Sequence, residues 1–91
     1  MLLSSENDIR RYIIEELAAV RATNIASIES EIASGGGDLE VDSLQAASVI
    51  GGLEGKLHCR LPGIEDLEPK QMITVRKLTE LVTKKLHGLQ Q

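Results

Sequence analysis

Apolar residues recur at intervals of three and four along most of this chain, the rhythm of helices that each turn one face to a core. Ile9, Tyr12, Ile13, Leu17 and Val20 share such a face, with Glu6, Arg10, Arg11, Glu15 and Glu16 on or near the wet side. The spacing predicts a first helix from near Ser5 to about Val20, with Ser5 and Asp8 forming a loose capping box at its start. Ile25, Ile28 and Ile32 keep the same rhythm, but Thr23-Asn24 reads as a turn and Ser34-Gly35-Gly36-Gly37 as a flexible linker. Two readings of this region stand side by side: a short helix within 25–33, or an ordered loop whose isoleucines plug the open end of a bundle.

A second main helix is predicted from Ser43 to about Leu57, with Ala47, Ile50, Leu53 and Leu57 facing inward. The connection through Arg60, Leu61, Pro62 and Gly63 ends it, because proline cannot continue the backbone ladder. Residues 64–69 have room for one helical turn. Thr74 then caps a last helix with Val75, Leu78, Leu81, Val82 and Leu86 facing in, and Lys84 and Lys85 near the C-terminus, where cations suit the helix dipole. No strand-like alternation persists, no internal repeat is visible, and no apolar run reaches the length that spans a bilayer. The pattern predicts an all-α fold, a bundle of three main helices plus one or two short ones, in a single domain over residues 1–91.

Composition narrows the function. Ninety-one residues lie near the size at which one core suffices, with little chain left to build a deep catalytic cleft, so an enzyme is disfavoured. Tyr12 is the single aromatic residue, and the core must be made of Leu, Ile, Val and Ala. The net charge of -4 is uneven, with 13 of the 14 acids before residue 71. Such a surface disfavours nucleic acid and attracts a basic partner. The start of the chain lacks a basic-then-apolar leader, which with the absence of a spanning run predicts a cytoplasmic protein. A lone Cys59 agrees with a reducing compartment. His58-Cys59 and His87 lack the spacing of a zinc site, and neighbours on a helix point in different directions, so neither a metal nor a Cys-His couple is expected.

The remaining chemistry gathers at Asp42-Ser43-Leu44. A serine at a helix start is ordinarily a cap, its hydroxyl accepting from the free amides of the first turn. The same position also suits a covalent phosphodiester, since open amides and the positive end of the helix dipole favour negative charge there. Residues 38–44 read DLEVDSL, Leu61-Pro62 follows in the connection, and residues 74–82 read TVRKLTELV. In these motifs and in the order of elements from Ile9 to Leu86 the chain resembles the acyl carrier protein family, whose pattern around the serine is close to DLGxDSL.

The resemblance implies an acyl-carrier-like bundle with phosphopantetheine attached at Ser43, flanked by Asp42 and Leu44. It implies addition of the arm by a phosphopantetheinyl transferase, an acyl group held as a thioester, and monomeric service to acyl-loading and acyl-using enzymes. Two departures mark this chain. Glu40 stands where the family has glycine. The second main helix has lost most of the carboxylates that the family presents to partners: its outward positions Leu44, Gln45, Ser48, Gly51 and Gly55 leave Glu54 as its one acid, with Lys56 beside it. These outward residues, together with Glu65 and Asp66 as a secondary acidic patch, are the implied partner surface. Their weak charge points to a specialised carrier in lipid, polyketide or related metabolism rather than the general carrier of fatty acid biosynthesis.

Ile50, Leu53, Leu57, Leu61, Ile73, Val75 and Leu78 are the implied acyl pocket, and each serves equally as plain core. Gly51, Gly52 and Gly55 each cost a helix interior about 1 kcal/mol against alanine. They serve close partner approach or entry of a bulky acyl group, or they simply fray the helix. Two rival readings remain: an aminoacyl or peptidyl carrier, and an unmodified protein-interaction module in which Ser43 is only a cap.

Overall fold

Among the described residues the helices are α1 (Glu6–Val20), α2 (Ile25–Ser34), α3 (Ser43–Leu57) and α4 (Val75–Leu89). The structure, a computed structural model, describes residues 6–58 and 73–89, with side chains as far as Leu86. Among the described residues the fold is all-α, and one isolated antiparallel bridge, Glu40 with Thr74, is the single extended pairing.

α1 is the hub. α2, α3 and α4 each pack against it, and no other pair of helices packs as extensively. Three neighbours demand a wide apolar face, so Ile14 and Ala18 are buried beside the predicted Ile9, Ile13 and Leu17. Each fully buried Ile or Leu contributes roughly 1.5–3 kcal/mol. Tyr12 is only half-buried against this core, and Val20, in the last turn, is exposed rather than inward. The helix ends in a Schellman motif: the Thr23 amide donates to the Ala18 carbonyl at 2.9 Å and the Ala22 amide to the Ala19 carbonyl at 3.2 Å. Ala22 therefore occupies the left-handed position, φ 55°, that usually falls to glycine.

Between 25 and 34 the helical reading holds and the loop reading does not. Asn24 caps α2 by accepting from the Ser27 amide at 2.8 Å, and Ile28 and Ile32 are buried. The glycines that read as a linker are an ordered cap: the Gly35 amide donates to Glu31 and Ile32, the Gly37 amide donates to Ile32 at 2.9 Å, and Gly36 takes φ 82°.

α3 begins and ends where the sequence places it, and runs without a break through Gly51-Gly52. Its buried face is Ala46, Val49, Ile50 and Leu53, with Leu57 half-buried and Ala47 exposed. The expected inward Ala47 is thus a one-residue error of phase: seating Val49 against α1 turns Ala46 inward and its neighbour out. His58 closes the helix in the left-handed region, φ 55°.

On α4 the Thr74 cap is present, its hydroxyl oxygen accepting from the Lys77 amide at 3.1 Å. Val75, Leu78, Val82 and Leu86 are buried, while Leu81 is half-buried. Buried Thr79 satisfies its hydroxyl by donating to the Val75 carbonyl at 2.8 Å. No described helix is long and apolar enough to cross a membrane. The expectations for Ser5, for the connection containing Cys59 and Leu61 to Gly63, and for a turn at 64–69 lie outside the described residues.

Candidate functional site

Asp42, not Ser43, is the N-cap of α3. Its backbone is extended, φ -79° and ψ 169°, and its carboxylate accepts from the Gln45 amide at 2.8 Å. Ser43 is consequently the first helical residue. It is exposed, and its hydroxyl has no hydrogen-bond partner among the described residues. The capping duty that the local sequence assigns to the serine is performed one residue earlier, and the hydroxyl is left available. The amides of Ser43 and Leu44 are among the first-turn donors that a helix leaves open, and no acidic residue lies within the first turn of α3.

The segment before the serine is fixed at several points. The Val41 amide donates to the Ile73 carbonyl at 2.8 Å, and the Val75 amide donates to the Leu39 carbonyl at 2.9 Å. These bonds make the Glu40–Thr74 bridge and tie the approach to α3 to the start of α4. Val41 is driven into the core, 3% exposed, two residues before Ser43. Glu40 itself lies outside the left-handed region, so the position that holds glycine in the resembling family makes no demand for glycine here.

Asp38 reinforces the same junction. One carboxylate oxygen accepts from the Arg76 amide at 3.0 Å and from the Leu39 amide at 2.9 Å, so this residue caps a helix 38 positions further along the chain. Burial raises its pKa, but the two amides, the Thr74 hydroxyl and the Arg76 guanidinium outweigh burial and hold the carboxyl below its ordinary value.

On the other side stands Arg21. Its Nη2 donates to the Gln45 side-chain oxygen at 3.1 Å and to the Glu40 carbonyl at 3.2 Å, and its Nε reaches the same Gln45 oxygen at 3.3 Å. Its Nη1 lies 3.6 Å from the Glu31 carboxylate on α2. One guanidinium thus joins the end of α1 to residues on both sides of Ser43.

Of the predicted partner residues, Leu44 is 81% exposed. Ser48, Gly51 and Gly55 are exposed on the same helix, and a methyl built on Gly51 or Gly55 meets nothing within 4 Å. Glu54 is half-buried, and Gln45 is drawn partly inward by Arg21. Glu65 and Asp66 lie outside the described residues. Lys56 is turned toward α1, 3.1 Å from Glu15 and 3.7 Å from Glu16, with its ammonium over the Tyr12 ring. Gly52 differs from the other two: a methyl there runs into the Glu16 carboxylate that lies across it.

The implied acyl-pocket residues Ile50, Leu53, Val75 and Leu78 are buried core, and Leu57 and Ile73 pack partly buried against them. Leu61 lies outside the described residues. Arg21, Asp38 and Val41 were not legible as site residues. For Val41 a signal existed, the Leu39-Glu40-Val41 alternation of a short extended stretch. Asp38 opens the DLEVDSL motif, but nothing local tied it to α4, and for Arg21 no signal existed, because the partners of both are distant in sequence. Comparison of the chain with models of known protein families, with curated proteins and with solved structures finds no match in any of the three.

Proposed function

We propose that this chain is a carrier protein in which the Ser43 hydroxyl is the attachment point for phosphopantetheine. The observation that carries the reading is the division of labour at the start of α3: Asp42 caps the helix, and Ser43 stands exposed, its hydroxyl without a partner among the described residues, on a segment pinned from both sides. The residues fit the group, since the open first-turn amides of Ser43 and Leu44 accommodate a phosphodiester beside an Asp42 carboxylate that the Gln45 amide already holds. When attached, the arm supplies a terminal thiol on which an acyl group is held as a thioester. Ser43 anchors, Asp42 and the ties to Ile73 and Arg21 hold the anchor in place, and Leu44 with the exposed part of α3 meets the client enzymes. Because that surface carries little charge, the clients are those of a specialised acyl pathway, and they dock mainly through shape and apolar contact.

A second reading, an interaction module without a prosthetic group, is favoured by one observation, the 81% exposed Leu44 on an otherwise flat helix face. An intact-mass measurement separates the two. The full chain is incubated with a broad-specificity phosphopantetheinyl transferase and coenzyme A, alongside Ser43→Ala and material from the native host. The carrier reading expects one phosphopantetheine on the wild-type chain and none on Ser43→Ala, with helicity unchanged. A chain that stays bare both in its host and in the assay overturns it and leaves the interaction module.

A further inference from the structure

We infer that Arg21 is a positioning residue for the loading of Ser43, an inference that rests on the carrier reading above. Arg21 is the C-cap residue of α1, and the two bonds of the Schellman motif, from Thr23 to Ala18 and from Ala22 to Ala19, fix its backbone. From this fixed base the guanidinium grips Glu40 by its carbonyl and Gln45 by its side-chain oxygen. Those two residues bracket the Asp42-Ser43-Leu44 segment, one three positions before the serine and the other two after it. Gln45 is held twice, since its amide also donates to the Asp42 cap. The side chain of Arg21 is only 22% exposed, and its bonds to Gln45 are partly shielded from water while the bond to the Glu40 carbonyl lies at the surface. A planar guanidinium sets its Nε and Nη2 donors in one fixed geometry toward these two acceptors, which the freely rotating ammonium of a lysine does not. The consequence is an α3 start whose backbone, and therefore whose Ser43 oxygen, keeps one orientation toward an incoming donor. Its charge contact with Glu31, 3.6 Å away and with that carboxylate half exposed, is secondary.

The test follows loading kinetics of the full-length chain with a broad-specificity transferase and coenzyme A, varying the carrier concentration. Wild type, Arg21→Ala, Arg21→Lys and Glu31→Ala are compared, with the folded fraction of each taken from urea unfolding. Loss of fold dilutes the folded substrate and raises apparent KM while leaving kcat unchanged. Loss of orientation lowers kcat. For Arg21→Ala we expect kcat to fall about tenfold, a part of the roughly hundredfold that a full 1 Å misplacement of a reacting group can cost. Arg21→Lys falls between that variant and wild type, and Glu31→Ala stays within about twofold of wild type, as the removal of an exposed ion pair requires. A wild-type kcat in Arg21→Ala overturns the inference while leaving the carrier reading intact. Failure of wild type itself to load overturns the carrier reading and the inference with it. If Arg21→Ala does not fold, Arg21→Lys decides alone, and an unchanged kcat there overturns the inference.

Discussion

At the scale of single residues, the start of α3 shows why a one-position shift matters chemically. A serine that caps a helix has its oxygen committed to a backbone amide, whereas a serine one step inside, behind an aspartate that caps, has it free. Asp38 does for α4 what Asp42 does for α3, but from across the molecule. Its carboxyl is held below the ordinary value, so the unfolded chain binds that proton more readily than the folded one. The stabilisation is therefore fully present above the unfolded carboxyl pKa, near 4, and is lost as pH falls through the lower folded value. We expect Asp38→Asn to reduce stability at pH 6, and the gap to wild type to narrow by pH 3, in urea unfolding followed by circular dichroism. A gap of equal size at both values removes Asp38 from the acid dependence.

At the scale of elements, helical periodicity carried most of the information, because each helix buries one stripe and the stripe is written in sequence. The stop of α1 at Val20, the bounds of α3 and the start of α4 behind the Thr74 cap were legible in the pattern. Asn24 and Gly36 were ambiguous alone, since a cap and a turn use the same residue types. What periodicity missed was phase: Ala46 and Ala47 are indistinguishable by hydrophobicity, and only packing against α1 chooses between them. The α3 glycines divide by the same test of surroundings. Gly51→Ala and Gly55→Ala add a methyl into open space, so each should raise stability by about 1 kcal/mol. Gly52→Ala must push aside the Glu16 carboxylate and disturb its contact with Lys56, and should gain less than either. Urea midpoints of the three single variants check the order. Equal gains at all three positions contradict the close approach of α1 at Gly52.

At the scale of the whole molecule, α1 holds α2, α3 and α4, and the candidate site is suspended between α1 and α4 by bonds between residues far apart in sequence. Arg21 and Gln45 are 24 residues apart, and Asp38 and Arg76 are 38 apart. Such pairings arise only once the apolar faces have brought the helices together, which is why the core was legible in the sequence and the support of the site was not. The same architecture makes α1 the point of failure. Leu17 is fully buried where α1 meets its neighbours, in a core without buried aromatic side chains. Truncation to alanine in such a position costs about 2–5 kcal/mol, a large share of the roughly 5–15 kcal/mol by which a folded domain is stable. Leu17→Ala should therefore move unfolding to markedly lower urea, with α2, α3 and α4 lost together because each depends on α1 for burial. Far-ultraviolet circular dichroism and Tyr12 fluorescence should follow one urea transition in wild type and report the same loss in the variant. If Leu17→Ala keeps about half its helicity with Tyr12 already released, the helices hold one another without α1, and the hub is not what binds this molecule.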